Sequence, residues 1–355
     1  MTVSVLYVGT TWPGSTTAQR RAALESLGCT VDCVDTGWRQ KNPPLPKRAV
    51  RGVFRRLGYP RELQNENRDI LGSLRSQPFD VLWIDKGLTI RPETICKARK
   101  YSPGIVIVSF SADDMANPQN QSRYYLKCLP HYDLVVTTKL PNRTELAELG
   151  APRVMQIDNG FDLSTHRPVD LTSEERAEFG ADVSFVGGYE KARADSLCWL
   201  ASQGVSVRVW GNRWHLLAER PANLRIEQRP VFGDDYARVL CASKINLAYL
   251  RKVNRDTQTT RTMEIPACGA FMLAERTEDH MRLFEEGKEA AFFSSDDELI
   301  SQIRKYLADD EKRRRIARAA FDRCISSGYS NRDQLTAVLR QCESIAESFH
   351  KAVAF

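Results

Sequence analysis

Short apolar runs alternate along the chain with longer segments whose apolar positions recur at helical spacing. Residues 3–9, 31–34, 79–84, 105–110, 134–137 and 154–157 are Val-, Ile-, Leu- and aromatic-rich and predict strands. Between them, an Ala/Arg/Leu segment ending at Gly28 and the stretches 62–76, 92–101, 123–129 and 142–150 predict helices. Continuous β-branched strands, each followed by a helix, are the pattern of a parallel sheet covered on both faces. A polar interval over 163–180, containing His166, Arg167 and Pro168, reads as a linker. The alternation then resumes with strands at 183–186, 205–210, 224–226 and 245–250 and helices that end at Leu200 and span 234–242. Residues 296–327 are helical and charged, and 331–355 form a final amphipathic helix. The expected organisation is α/β, with a first doubly wound domain over 1–162, the linker over 163–180, a second such domain over 181–330 and the terminal helix.

The most informative stretch is 261–273, where a polar helix start, a short apolar helix, a glycine and a buried-type strand follow without a gap. Glu264 is the only acid between Thr257 and Ala274 and lies one helical turn after Arg261, so the two share a face. A guanidinium binds diphosphate oxygens bidentately and a carboxylate accepts hydrogen bonds from both hydroxyls of a ribose, so the pair suits a nucleotide sugar. Gly269 is suited to ending the helix at positive φ and to letting backbone approach a phosphate. The same residues also read as a surface i, i+3 pair beside an ordinary helix stop.

At 355 residues the chain is long enough for two domains with separate cores, and no apolar run approaches the ~20 residues of a bilayer span. The opening residues read as a strand with no basic n-region, so no signal peptide is expected. Nine cysteines without a C-x-x-C pair argue against a disulfide framework or a zinc site and point to a reducing cytoplasm. The chain has no D-x-D motif, and its five histidines are scattered, so no metal site is expected. The net charge of +6 is distributed unevenly: residues 39–61 contain no acid. There Val50, Val53, Phe54 and Leu57 recur at helical spacing among Lys47, Arg48, Arg51, Arg55 and Arg56. Such a helix either docks on an anionic surface, a membrane leaflet or an acidic polysaccharide, or packs its apolar face on the first domain. Nucleic acid is not expected, because stacking aromatics are confined to Phe54 and Tyr59.

The run Arg261-Thr-Met-Glu264-Ile-Pro-Ala-Cys268-Gly269, followed by Phe271-Met-Leu-Ala, resembles the signature of CgeB-type, spore-protein-like glycosyltransferases of the GT-B superfamily. Asp113-Asp114-Met115, Asn159-Gly160-Phe161-Asp162, Phe185-Val-Gly187-Gly188 and Val209-Trp210-Gly211 are similar to their counterparts in that family. Glu264 matches the last glutamate of the E-x7-E motif of retaining GT-B enzymes, and the first acid falls on Asp256, an aspartate where those families carry glutamate. The resemblance implies two Rossmann-like domains facing each other across a cleft, with the last helix returning to the first domain. It implies transfer of a sugar, of the hexosyltransferase type, from a nucleotide diphosphate donor, a UDP-sugar before others, to a hydroxyl on a glycan, lipid-linked or small-molecule acceptor, as in polysaccharide biosynthesis. The donor is a co-substrate, and no tightly bound cofactor is implied.

On this resemblance Gly187 and Gly188 let backbone amides approach the diphosphate, and Arg193 contacts it. Gly211 and Trp214 flank the nucleobase, and Gly9, Thr10, Thr11 and Lys86 line the acceptor side. Arg193 also reads as a solvated helix residue, Trp214 as core, and residues 9–11 as a plain turn. Asp113 or Asp114, beyond a strand's carboxyl end, suits a general base, and paired aspartates there also serve as helix caps. Leaving-group charge then falls to Arg261, Arg193 and helix N-termini rather than to a metal. A nucleotide-sugar epimerase and a non-catalytic sugar-binding scaffold are the alternative readings on the same architecture.

Overall fold

The computed structural model describes residues 2–37 and 45–353, and the side chains of 2–37 and 50–349. The chain divides into two units, Met1–Asp158 with Asn331–Phe355, and Asn159–Ser330.

The first unit runs β1 (Ser4–Gly9), α1 (Thr16–Ser26), β2 (Thr30–Asp35), α2 (Leu45–Arg56), α3 (Glu66–Ser76), β3 (Val81–Asp85), α4 (Pro92–Tyr101), β4 (Val106–Ser111), α5 (Arg123–Cys128), β5 (Leu134–Thr137), α6 (Asn142–Glu148) and β6 (Val154–Gln156). Its six strands are parallel in the order β2-β1-β3-β4-β5-β6. Alternation along each strand feeds two cores. Leu6, Val8, Leu82, Ile84 and Ile107 face one side. Val5, Tyr7, Val81, Trp83 and Val108 face the other. Strands buried on both faces have no solvent side to mark with polar residues, which is why they read as unbroken apolar runs.

The second unit runs α7 (Ser173–Phe179), β7 (Val183–Val186), α8 (Lys191–Ser202), β8 (Val207–Trp210), β9 (Leu224–Ile226), α9 (Gly233–Ala242), β10 (Ile245–Ala248), α10 (Thr260–Ala267), β11 (Met272–Glu275), α11 (Glu278–Leu283), β12 (Ala291–Phe293), α12 (Asp296–Leu307) and α13 (Asp310–Ser326). Its six parallel strands lie in the order β9-β8-β7-β10-β11-β12, the Rossmann order, in which direction reverses between β7 and β10. Val183, Phe185, Val209 and Leu247 pack on one face. Val186, Trp210, Ala248 and Met272 pack on the other.

The last helix, α14 (Asn331–Val353), belongs to the first unit. Leu335, Val338, Cys342 and Ile345, at i, i+3, i+7 and i+10, join the core formed by Val5, Leu24 and Trp83. Each such side chain contributes about 1.5–3 kcal/mol when fully buried, which ties the chain's end to its beginning.

Three features differ from the sequence reading. The division falls between 158 and 159, and the supposed linker 163–180 belongs to the second unit. It carries α7, started by a capping box in which the Thr172 hydroxyl accepts from the Glu175 amide and the Glu175 carboxylate accepts from the Thr172 amide. The charged stretch 296–327 is two helices, because the Asp309 side chain caps a new one by accepting from the Lys312 amide at 2.9 Å. Strand β12, three residues long like β6 and β9, was not expected from sequence and is defined by its pairing with β11. Among the described residues no helix is long and apolar enough to cross a membrane.

Of the basic stretch 39–61, residues 39–44 lie outside the described residues. From 50 onward the apolar face of α2 and the turn after it is open to solvent. Val50, Val53 and Leu57 are 41, 54 and 58% exposed, while Phe54 lies under the Arg61 guanidinium at 4.1 Å. The alternative in which this face packs on the first unit therefore fails for those three residues.

Candidate functional site

In an open parallel sheet, ligands bind beyond the strands' carboxyl ends at the point where strand order reverses. In the second unit that point lies beyond β7 and β10, and three arginines gather there from three separate segments. Arg261, in the first turn of α10, donates its Nε–H to the Val186 carbonyl at the end of β7. Arg193, in the first turn of α8, reaches the Tyr249 carbonyl just past β10 at 3.4 Å and stacks 5.6 Å from the Phe185 ring. Arg251 donates to Glu190 Oε1 at 2.8 Å, and the same oxygen lies 3.7 Å from Arg193.

Arg193 is 7% exposed, and its Nε is buried without a hydrogen-bond partner. Burial lowers its pKa, and the Arg261 and Arg251 charges push the same way against the pull of Glu190 and Asp256. Among the described residues acting on this site, three guanidiniums meet two carboxylates. A cluster with excess positive charge and an unused buried donor is arranged to receive an anion. Arg193 is accordingly not a solvated helix residue.

Glu264 sits one turn further along α10 and is 5% exposed. It is not in a surface pair with Arg261. The Tyr236 hydroxyl of α9 donates to its Oε2 at 2.6 Å, and His166 Nε2 lies 3.7 Å from its Oε1. The Asp162 amide donates to His166 Nδ1 at 2.9 Å, so the neutral ring carries its proton on Nε2, the atom facing Glu264. Burial, then the Glu264 charge, raises the Tyr236 phenol well above its usual value, which keeps it a donor. Neither His166 nor Tyr236 was expected from sequence to be a site residue: His166 lay in the interval read as a linker, and Tyr236 in the helix expected over 234–242.

Asp256 closes the loop before α10, accepting from the Arg251 amide at 3.2 Å and from Asn254 Nδ2 at 2.8 Å. The short aspartate side chain suits this local role. Behind the same helix, the Thr262 hydroxyl meets His280 Nε2 at 2.9 Å, and His280 Nδ1 donates to the Glu275 carbonyl at 2.6 Å.

Four expected contacts are redistributed. The Gly187 amide donates to the Trp210 carbonyl at 2.8 Å, so it is not free for a phosphate. Its carbonyl accepts from Trp214 Nε1 at 2.8 Å, and a Cβ on Gly211 would lie 1.9 Å from that carbonyl oxygen. These two glycines let the ends of β7 and β8 touch. Trp214 is fully buried, edge-on to Phe185 and Tyr189, and is core rather than a stacking platform for a base. Gly269, at φ +66°, follows the carboxyl end of α10, so it stops the helix at the end opposite Arg261. Gly188 is exposed, as Gly269 is, and stays at the turn beside α8.

In the first unit, order reverses between β1 and β3. Arg20 grips Asp85 with Nε and a terminal nitrogen at 2.9 and 3.0 Å, the Tyr7 hydroxyl donates to Asp85 at 2.8 Å, and the guanidinium lies 4.3 Å from the Phe110 ring. Next to this buried network Lys86 holds φ +65°, a conformation costly for a side chain with a Cβ. Its Nζ meets Asp113 Oδ2 at 2.5 Å. Asp113 does not cap α5, whose N-cap is Ser122. Asp114 is fully buried and accepts from Asn142 Nδ2 at 2.7 Å, which makes it structural and leaves Asp113 as the accessible acid of the pair. Gly9 packs where a Cβ would fall 2.5 Å from Thr17; the Thr10 carbonyl accepts from Ser15, and the Thr11 amide donates to Asp35. That loop is thus partly committed to its own structure.

Residues 193–340, which contain all three arginines and Glu264, match the family model described as glycosyl transferase-like. Among proteins of curated function, none matches the sequence. Solved structures are similar over nearly the whole chain. HepE of Anabaena, crystallised with UDP-glucose, is 14% identical with a TM-score of 0.60, covering 99% of each chain. Sucrose-phosphate synthase from Thermosynechococcus elongatus is 13% identical with a TM-score of 0.62, covering 97% of this chain and 99% of its own. The putative UDP-N-acetylglucosamine 2-epimerase from Listeria monocytogenes is 13% identical with a TM-score of 0.52, covering 96% of this chain and 95% of its own. The fold is that of the GT-B glycosyltransferases.

Proposed function

We propose that this chain is a glycosyltransferase that takes a sugar from a nucleotide diphosphate donor, with UDP as the nucleotide. The observation that carries the reading is the convergence of Arg193, Arg251 and Arg261 at the reversal of the second sheet, one helical turn from the buried carboxylate of Glu264. The arginines would hold the diphosphate and take up the charge that develops on the leaving group, so the transfer needs no metal; Glu264 would accept from the ribose hydroxyls. Asp113, salt-bridged to Lys86, serves as the base toward the acceptor hydroxyl. The signature around Glu264 supports a CgeB-type hexosyltransferase acting on a glycan or lipid-linked acceptor in the cytoplasm, within polysaccharide biosynthesis. The exposed Val50, Val53 and Leu57, with Arg55 and Arg56 beside them, would dock the enzyme on an anionic leaflet, each basic residue contributing roughly 1 kcal/mol.

The test is calorimetric titration with UDP, followed by incubation with a panel of nucleotide sugars. UDP binding that Arg261→Ala weakens, with slow donor hydrolysis, supports the transferase. Interconversion of sugar isomers would instead favour the epimerase, for which the approach of His166 to Glu264 is the one specific observation. Binding without turnover of any donor would leave a scaffold, and absence of binding to every nucleotide tested refutes the reading.

A further inference from the structure

We propose that the first unit carries a second ligand site, a basic cavity at the amino ends of its strands that takes a free phosphomonoester built on a sugar. Helix α4 follows β3 and runs back along the sheet, so its last turns return to the edge at which β5 and β6 begin. There the second half of α4 and the turns leading into those two strands enclose a cavity of 410 Å³. That volume falls within the roughly 300–1,000 Å³ of small-molecule sites. The cavity lies at the end of the sheet opposite Lys86 and Asp113, which follow the carboxyl ends of β3 and β4.

Three basic side chains line it from three segments: Lys100 in the last turn of α4, His131 in the turn before β5 and Arg153 immediately before β6. All three are exposed, and among the described residues none of their side chains makes a hydrogen bond or an ion pair. Among the described residues lining the cavity the single acid is Asp133, and it is already engaged. Arg99 donates to both its oxygens at 2.9 and 2.8 Å, and the Ile107 amide donates to one of them at 2.7 Å. The same guanidinium donates to the Ile105 carbonyl at 3.1 Å and lies 5.6 Å from the Phe349 ring of α14, which fixes its place. Arg99 and Asp133 thus form an internally neutral wall. The unbalanced charge of the cavity is that of Lys100 and Arg153, with the His131 imidazole as a further polar group beside them.

The arrangement of these groups selects the ligand. Donors on three segments around one space suit a tetrahedral anion, whose oxygens accept from several directions, better than a planar carboxylate, which a single guanidinium fork satisfies. The cavity has room for more than the anion, and Ile95, Pro130 and Pro152 add apolar wall to it, so the phosphate is attached to a body. Tyr132 also lines the cavity, but its ring is 1% exposed and packs in the core beneath, so it offers a nucleobase no face on which to stack. A sugar, which needs no such platform, is the body that fits.

Cys96 supplies the reporter, because it lines the cavity and is exposed; the exposed Cys33 of β2 is its control. Native full-length protein is alkylated with N-ethylmaleimide in the presence of glucose 6-phosphate at millimolar concentration, and the rate at each cysteine is followed by peptide mass spectrometry. The expected result is slower alkylation of Cys96, saturating with the ester, with Cys33 unchanged, no protection by glucose and no displacement by UDP. In Lys100→Ala/Arg153→Ala the concentration for half protection should rise by about tenfold or more, the loss of at least one charged hydrogen bond. Equal alkylation of Cys96 with and without the ester would overturn the proposal, as would equal protection by glucose, displacement by UDP or undiminished protection in the double variant. Protection by phosphatidic acid vesicles where the free ester gives none would overturn it as well. Cys96 reports on this cavity whether or not the second unit binds UDP, and the wild-type arms decide without the variant.

Discussion

Removing one oxygen, in Tyr236→Phe, probes the contact that holds Glu264 in place. Tyr236 is 7% exposed, and its hydroxyl donates to a carboxylate that is itself 5% exposed. Phenylalanine keeps the ring and its edge-on packing against His166 at 5.5 Å, so no cavity is opened. What is lost is one hydrogen bond to a charged group, about 1.5–3 kcal/mol. Among the described residues the carboxylate then keeps only His166, whose Nε2 at 3.7 Å is beyond normal hydrogen-bond length, so the upper half of that range applies. For a unit of this size the melting temperature should fall by on the order of 5 °C. Differential scanning calorimetry measures it, and a cycle with Glu264→Gln isolates the pair: coupling of about 1 kcal/mol or more is expected for residues in contact. UDP affinity should fall as well, because a loosened carboxylate is a poorer acceptor for ribose. Additive single and double variants, or an unchanged melting temperature, would refute the idea that Tyr236 positions Glu264.

Asp85→Ala should destabilise the first unit by about 3–5 kcal/mol, since it strands the Arg20 guanidinium in a buried site; chemical denaturation measures it, and a loss below about 1 kcal/mol would contradict the buried pair. Burial lowers the His280 pKa, so below about pH 6.5 the unfolded chain takes up a proton that the folded ring refuses. Stability contributed by His280 is complete above that pH and is lost as pH falls toward the folded value; ring NMR should show the Nδ1–H tautomer persisting below the usual midpoint, and an ordinary titration would exclude it. Asp113→Asn should cut turnover by roughly 10²–10⁴-fold with UDP binding intact, and retained activity would remove Asp113 as the base. Anionic but not neutral vesicles should co-sediment the protein at low salt, with binding lost in Val53→Asp/Leu57→Asp and in high salt; no sedimentation at low salt would exclude the membrane contact.

The two doubly wound units, their strands and most helices were legible because buried parallel strands must be apolar on both faces and surface helices on one, constraints that act residue by residue. Glu264 and Arg261 were legible as a pair for the same local reason, their spacing of one turn. Their actual surroundings were decided by tertiary structure. Arg193, Arg251 and Arg261 lie on segments separated by up to 68 positions along the chain and meet only because strand order reverses between β7 and β10. His166 stood in a polar stretch with no periodicity, and it reaches Glu264 because the Asp162 turn orients its ring. Gly187, Gly211 and Trp214 have the composition of a ligand-binding turn and instead close the sheet on itself, since nothing in a sequence distinguishes a glycine that admits a ligand from one that admits a neighbouring strand. Strand β12 is defined by its parallel pairing with β11, a partnership of segments that its own residues do not announce.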